Sequence, residues 1–168
     1  MTTASNFEDW ILNFLSKPNS VFNDLPPCPF AKESWLQGKV LIREMTEIDT
    51  LSITDYFLSE LENYSYHWPK DKEVVALVCN PSLISSRDLT TVTETATEKF
   101  LIKRGYVALE DHPDTLELVE DVILNNGNYA MIFLQPLEKL SKAREILKRK
   151  GYYKNWTTEY YQEVVGDQ

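Results

Sequence analysis

The chain has 168 residues and a mass of 19.5 kDa, close to the usual size of one folded domain. Apolar residues make up 43% and aromatic residues 12% of it, which excludes a wholly disordered chain. The formal net charge is −9, and a negative field of this size repels phosphate backbones and anionic membrane surfaces. Nucleic-acid binding is therefore disfavoured, and no apolar run is long enough to predict a membrane span.

The number and spacing of the cysteines indicate the cellular compartment in which the protein folds. Cys28 and Cys79 are the two cysteines, and their spacing fits neither a zinc knuckle nor a redox dithiol. The amino terminus also lacks the basic and apolar regions of a signal peptide. We therefore expect reduced thiols and a cytoplasmic protein.

Apolar periodicity predicts helices alternating with strands in the first half of the chain. In chain order these elements are a helix over 7–15, a short helix over 29–36, a strand over 39–44, a helix over 53–64 and a buried strand over 73–79. Ser52 is the expected cap of the third helix, and Gly38 ends the second.

The second half continues the alternation. It predicts a helix from Ser85 or Ser86 to Gly105, a strand over 106–110, a short helix over 114–122, a strand over 129–134 and a helix over 137–150 that ends at Gly151. An aromatic tail follows this last helix.

This order predicts an α+β fold, in which a mixed or antiparallel four-stranded sheet is covered by helices on a ferredoxin-like plan. We expect a single domain over 1–168. Its parts are a helical amino-terminal extension (1–38), the α+β sandwich (39–151) and the aromatic tail (152–168). A doubly wound parallel sheet is the alternative, but no glycine-rich loop follows any predicted strand.

A short motif, Cys28-Pro29-Phe30-Ala31, resembles the signature of an uncharacterised bacterial family, a domain of unknown function. That family also carries a downstream His-Pro-Asp motif, which His112-Pro113-Asp114 matches. The resemblance covers most of residues 7–147 and implies Cys28, His112 and Asp114 as site residues. An arginine typical of the family has no counterpart in residues 126–131, so no role is transferred to it.

Cys28, His112 and Asp114 form the first candidate site. A cysteine at a predicted helix start is stabilised as a thiolate, and a histidine between acids is typical of a base or a metal ligand. Together the three residues would suit thiol-based catalysis or a divalent metal. The alternatives are a buried cysteine, a His-Pro turn and an aspartate helix cap. These residues do not decide between an enzyme and a binding protein, and a divalent metal is the one cofactor that they suggest.

Uneven charge marks a second candidate site. Residues 139–154 hold seven basic residues and one acid, whereas residues 110–121 hold six acids and no base. A basic helix end beside aromatic residues is suited to a phosphate, a nucleic-acid strand or an acidic partner; the candidates are Lys148, Arg149, Lys150, Tyr153 and Trp156. The alternative is an ordinary solvated helix end whose cations complement the helix dipole.

The sequence is thus consistent with two functional hypotheses. The first is binding of a small molecule or metal, with thiol-based catalysis at Cys28 and His112. The second is a non-enzymatic interaction or regulatory module that docks an acidic protein partner on the basic carboxyl-terminal helix, or a basic partner on residues 110–121.

Overall fold

The computed structural model describes residues 1–166, so the last two residues of the predicted aromatic tail lie outside the described part. The α-helices are α1 Thr3–Trp10, α2 Ala31–Leu36, α3 Ile53–Tyr66, α4 Ser86–Ala96, α5 Ile102–Arg104, α6 Leu137–Arg149 and α7 Thr158–Val164. The strands are β1 Val40–Glu44, β2 Val74–Cys79, β3 Tyr106–Asp111, β4 Leu118–Val119, β5 Val122–Ile123 and β6 Ala130–Pro136. A π-helical turn, Thr97–Leu101, joins α4 to α5.

Four strands form one mixed sheet in the order β1-β2-β6-β3. β1 runs parallel to β2, with Ile42 beside Ala76, and α3 supplies the crossover that a parallel pair requires. β6 is antiparallel to both neighbours and pairs with β2 through Leu77 and Ile132. The prediction of an α+β chain with a mixed four-stranded sheet is therefore confirmed. The ferredoxin-like plan is not confirmed.

Two helices cover one face of this sheet. Phe57 and Leu61 of α3 are fully buried against alternate residues of β2 and β6. Leu89 of α4 belongs to the same core. Side chains alternate between the two faces of a strand, so the strand registers decide which residues these helices can meet.

The helix ends follow the polar residues and glycines that the sequence marks. The Ser52 hydroxyl accepts the Asp55 N–H, and the Ser85 hydroxyl accepts the Asp88 N–H. Gly105 ends α5 at φ +80°, a left-handed conformation that glycine adopts without steric cost. The predicted caps at Ser52 and Ser85 are thus confirmed.

The prediction of a helix over residues 114–122 is wrong. Residues 118–123 form an antiparallel hairpin, in which Leu118 pairs with Ile123 and Val119 pairs with Val122. Glu120, at the tip of the hairpin, has φ +52°, which a right-handed helix does not allow. The Asp114–Glu117 spacing resembles a helix cap, but the β-branched residues that follow pair as strands.

The described chain divides into two compact units. The first contains residues 1–37, 117–124 and 139–166, and the second contains residues 38–116 and 125–138. Residues 139–151 therefore belong with the amino-terminal helices rather than with the sheet. The single-domain division stays a prediction.

A smaller apolar core holds the first unit together. Its buried members are Val21, Phe22, Val119, Leu147 and Tyr152. The centroids of the Phe22 and Tyr152 rings lie 5.0 Å apart. This contact joins the amino-terminal residues to the segment after α6. Within residues 1–166, no helix is both long enough and apolar enough to cross a membrane.

Candidate functional site

The end of α6 positions the candidate site in the first unit. Gly151 follows this helix at φ +75°, and the Tyr152 N–H donates to the Leu147 carbonyl. This left-handed ending is typical of a helix terminated by glycine. It turns the chain so that Tyr152 is buried while Tyr153 is only partly covered.

Three long-range hydrogen bonds hold the segment after α6 in place. The Tyr152 hydroxyl donates to the Pro27 carbonyl. The Asn155 amide nitrogen lies 2.9 Å from the Val21 carbonyl oxygen. The Asn23 amide nitrogen lies 2.9 Å from the carbonyl oxygen of Lys150. The aromatic tail is therefore anchored to the amino-terminal residues rather than loose.

Aromatic rings line the outer side of this segment. The Tyr153 ring packs edge-on against Trp156, with centroids 4.9 Å apart, and edge-on against Tyr161, with centroids 5.2 Å apart. Trp156 also packs on Tyr160, with centroids 4.7 Å apart. Edge-to-face and offset pairs of this kind fix ring orientations. The rings therefore form a rigid wall.

An open, shallow cavity of about 340 Å³ lies at this wall. Its lining side chains are two lysines, three aromatic residues and two threonines: Lys148, Lys154, Tyr153, Trp156, Tyr161, Thr157 and Thr158. Gly151 also lines the cavity, and within the described range 1–166 no acidic residue does so. We call this site the lysine–tyrosine cavity.

Electrostatics make the cavity cationic. Lys148 and Lys154 are exposed, whereas Arg144 is buried and donates to the Val164 carbonyl oxygen at 2.9 Å. Burial raises the pKa of Tyr153 to about 12, although the nearby Arg144 guanidinium opposes that rise. Tyr153 is thus neutral at physiological pH and adds no negative charge to the wall.

The Trp156 indole N–H is a buried donor with no hydrogen-bond acceptor among residues 1–166. Such a group costs free energy, and native structures contain few of them. Here it belongs to a side chain that lines the cavity.

Of the five residues predicted to bind a partner, three line the cavity: Lys148, Tyr153 and Trp156. Arg149 and Lys150 do not line it; Arg149 donates to the Glu145 carbonyl one turn earlier. Sequence reasoning missed Lys154 and Tyr161. The aromatic run in residues 152–161 was the available signal, but its pattern did not reveal that α7 folds Tyr161 onto Tyr153.

Cys28 lies in the first unit, where its N–H donates to the Leu15 carbonyl. Burial raises the pKa of its thiol, and this outweighs the backbone N–H groups of Phe30 and Ala31, which lower it. The charge of the ionised thiol also contributes to the raised pKa of Tyr152 and Tyr153, after burial of the two phenols. This environment favours the protonated thiol at neutral pH.

His112 and Asp114 lie in the second unit. The His112 ring is buried; its Nε2 is 2.9 Å from the Ile84 carbonyl oxygen, and its Nδ1 accepts the Asp114 N–H at 3.1 Å. This is the pattern of a neutral imidazole protonated on Nε2. The Asp114 carboxylate is 3.8 Å from Nδ1 and largely exposed. Both ring nitrogens therefore have hydrogen-bond partners within the unit.

A catalytic pairing of Cys28 with His112 stays a prediction, because the two residues belong to different units. The metal site also stays a prediction. Among residues 1–166, no three or more His, Cys, Asp or Glu side chains are grouped so as to hold a metal ion.

Two further acids at the end of β3 have raised pKa values, chiefly because of burial. The Asp111 carboxylate accepts hydrogen bonds from the Asn125 amide at 2.6 Å and from the Asn126 N–H at 3.1 Å, which oppose the rise. Thr90 and Thr93 hydrogen-bond the half-buried Glu110 carboxyl. These partners give both acids structural roles.

Comparison with models of protein families, with curated proteins and with solved structures gives no match. The resemblance built on Cys28 and His112 therefore stays a prediction, and the geometry of the cavity indicates the function.

Proposed function

We propose that this chain is a non-enzymatic interaction module that binds an acidic segment of a partner protein at the lysine–tyrosine cavity. One observation carries the proposal: two exposed lysines flank a wall of aromatic rings, and no acidic side chain of residues 1–166 lines the same cavity. The two free thiols are consistent with a cytoplasmic module.

The charges favour an acidic ligand. Lys148 and Lys154 attract carboxylates locally, although the whole chain carries −9. A cationic site on an anionic protein selects among acidic segments, because the surrounding field repels those that do not seat on the patch.

The aromatic wall favours a segment that also has apolar side chains. Tyrosine and tryptophan are enriched at protein interfaces and dominate their binding energy. Because the cavity is open and has a volume of only about 340 Å³, it suits a few side chains of an extended chain rather than an enclosed cofactor.

A direct test uses a fluorescein-labelled peptide in which glutamate and leucine alternate. We expect saturable binding by fluorescence polarisation, with amide shifts in NMR spectra confined to residues 148–161. The variant Lys148→Glu/Lys154→Glu should weaken binding by about tenfold or more, since each pair loses attraction and gains repulsion.

The matched control is Lys99→Glu/Lys103→Glu, which makes the same change in net charge at two exposed lysines of the second unit. It should bind like the wild type. A peptide in which lysine and leucine alternate should not bind. Absence of saturable binding, or equal loss in both variants, would overturn the proposal.

A further inference from the structure

The hairpin β4–β5 has an exposed apolar face. Leu118 and Ile123 form a cross-strand pair, with 43% and 49% of their surfaces exposed. The neighbouring pair points to the opposite face, because side chains alternate along a strand. Val119 of that pair is buried in the core of the first unit. The inner face is therefore structural, whereas the outer face has solvent-exposed aliphatic side chains.

The tip of the hairpin is acidic. Glu120 and Asp121 join the two strands, and both are exposed. Glu120 has φ +52°, a conformation that favours glycine or asparagine over a branched or long side chain. The hairpin thus combines two aliphatic side chains with two carboxylates.

This composition complements the lysine–tyrosine cavity of the same unit. The hairpin offers Leu118 and Ile123 to an aromatic wall, and Glu120 and Asp121 to two lysines. The hairpin and the cavity are therefore complementary both in charge and in apolar character. A second exposed two-residue turn, Asp49–Thr50 of the second unit, also joins a bridged aliphatic pair, Ile48 and Leu51, but this turn has one carboxylate, whereas the tip of the hairpin has two.

A chain cannot make this contact with itself. The inner face of the hairpin packs on the core that includes Leu147 and Tyr152, and Tyr153 and Trp156 pack against that core. Leu118 and Ile123 project from the opposite face, away from this core. The outer face is therefore available only to another molecule.

Resting on the proposed function, we infer that the occupant of the cavity is the β4–β5 hairpin of a second copy of this chain. Each copy has both surfaces. Two copies can therefore form a closed dimer in which the hairpin of each copy binds the cavity of the other, giving two equivalent contacts. The contact surfaces are small, so the dimer is weak and depends on concentration.

Sedimentation velocity over a wide concentration range tests this. The wild type should shift from monomer to dimer. The variants Lys148→Glu/Lys154→Glu and Glu120→Lys/Asp121→Lys should each remain monomeric, because one has an acidic cavity facing acidic hairpins and the other a basic cavity facing basic hairpins. Lys99→Glu/Lys103→Glu should dimerise like the wild type.

Mixing the two monomeric variants is the decisive experiment. Their heterodimer pairs a native hairpin with a native cavity and a reversed hairpin with a reversed cavity, so both contacts are again complementary. We expect the mixture to dimerise at concentrations at which neither variant alone does. Unfolding curves measured for each variant establish that loss of dimer does not reflect loss of fold.

A monomeric wild type at every concentration would overturn the inference, and so would a dimer that neither charge reversal affects. These failures are distinct from failure of the proposed function. If the glutamate–leucine peptide binds the cavity while the wild type stays monomeric, the cavity binds acidic segments but the hairpin is not its occupant. If the peptide does not bind and the wild type also stays monomeric, both proposals fail together.

Discussion

The Nε2 atom of His112 lies 2.9 Å from the carbonyl oxygen of Ile84. This bond joins the residue after β3 to the residue that follows the 3-10 turn Pro81–Leu83. The other ring nitrogen accepts the Asp114 N–H, so the imidazole ties the turn after β3 to the residue that follows the 3-10 turn. A histidine between acids, which from sequence alone suggests a base, here holds loops together.

The first prediction concerns the stability of this link. Replacing His112 with alanine removes both bonds and leaves the Ile84 carbonyl without its ring partner, so we expect the free energy of unfolding to fall by about 1–3 kcal/mol. Urea denaturation followed by circular dichroism measures it. Asp114→Asn keeps the backbone donor and should cost little; equal losses in the two variants would contradict the assigned role.

A second prediction concerns the reactivity of Cys28. Burial raises the pKa of its thiol, so little thiolate is present at neutral pH. In a Cys79→Ala background, iodoacetamide should label Cys28 more slowly than a cysteine in a short unfolded peptide at pH 7. Faster labelling that slows on His112→Ala would instead support the thiol-based site predicted from the sequence.

A third prediction concerns the pH dependence of stability. Burial raises the pKa of Glu110 above its ordinary value of 4.5, so the folded state holds this proton more tightly than the unfolded chain. The resulting stabilisation is complete below pH 4.5 and is lost as the pH rises through the folded pKa. Glu110→Gln should remove this component from a series of urea midpoints measured against pH. Parallel curves for the two proteins would show that the prediction is wrong.

A fourth prediction uses two glycines with similar backbone geometry. A Cβ at Gly151, where φ is +75°, would lie 2.8 Å from the Asn23 amide nitrogen, whereas a Cβ at Gly105, where φ is +80°, would meet no atom within 4 Å. Gly105→Ala should therefore cost only the backbone strain of about 1 kcal/mol. Gly151→Ala should cost more, because it also displaces the hydrogen bond from Asn23 to Lys150.

The comparison of thermal unfolding midpoints measures this difference. In an Asn23→Ala background, Gly151→Ala should lower the unfolding midpoint by less than it does in the wild type, because the contact with Asn23 is already lost. Fully additive midpoint shifts would argue against a clash with Asn23.

The sequence determined most of the local structure. Apolar periodicity located β2, α4 and α6, and the caps at Ser52 and Ser85 and the glycine end at Gly105 follow from local backbone chemistry. Periodicity failed over 114–122, where an acid followed by apolar residues fits a capped helix as well as a hairpin. Residues 118–123 form a hairpin because Leu118 pairs with Ile123 across the strands. Such pairing depends on a turn conformation that composition does not specify.

Only the tertiary structure decided which candidate residues meet. Lys148, Tyr153 and Trp156 lie near one another in the chain, yet Tyr161 reaches Tyr153 only because α7 folds back on the segment after α6. Cys28 owes its raised pKa to burial, and one of the two ring bonds of His112 reaches a carbonyl 28 residues away. Periodicity and capping are encoded in neighbouring residues, whereas burial and hydrogen-bond partners depend on segments that the sequence separates.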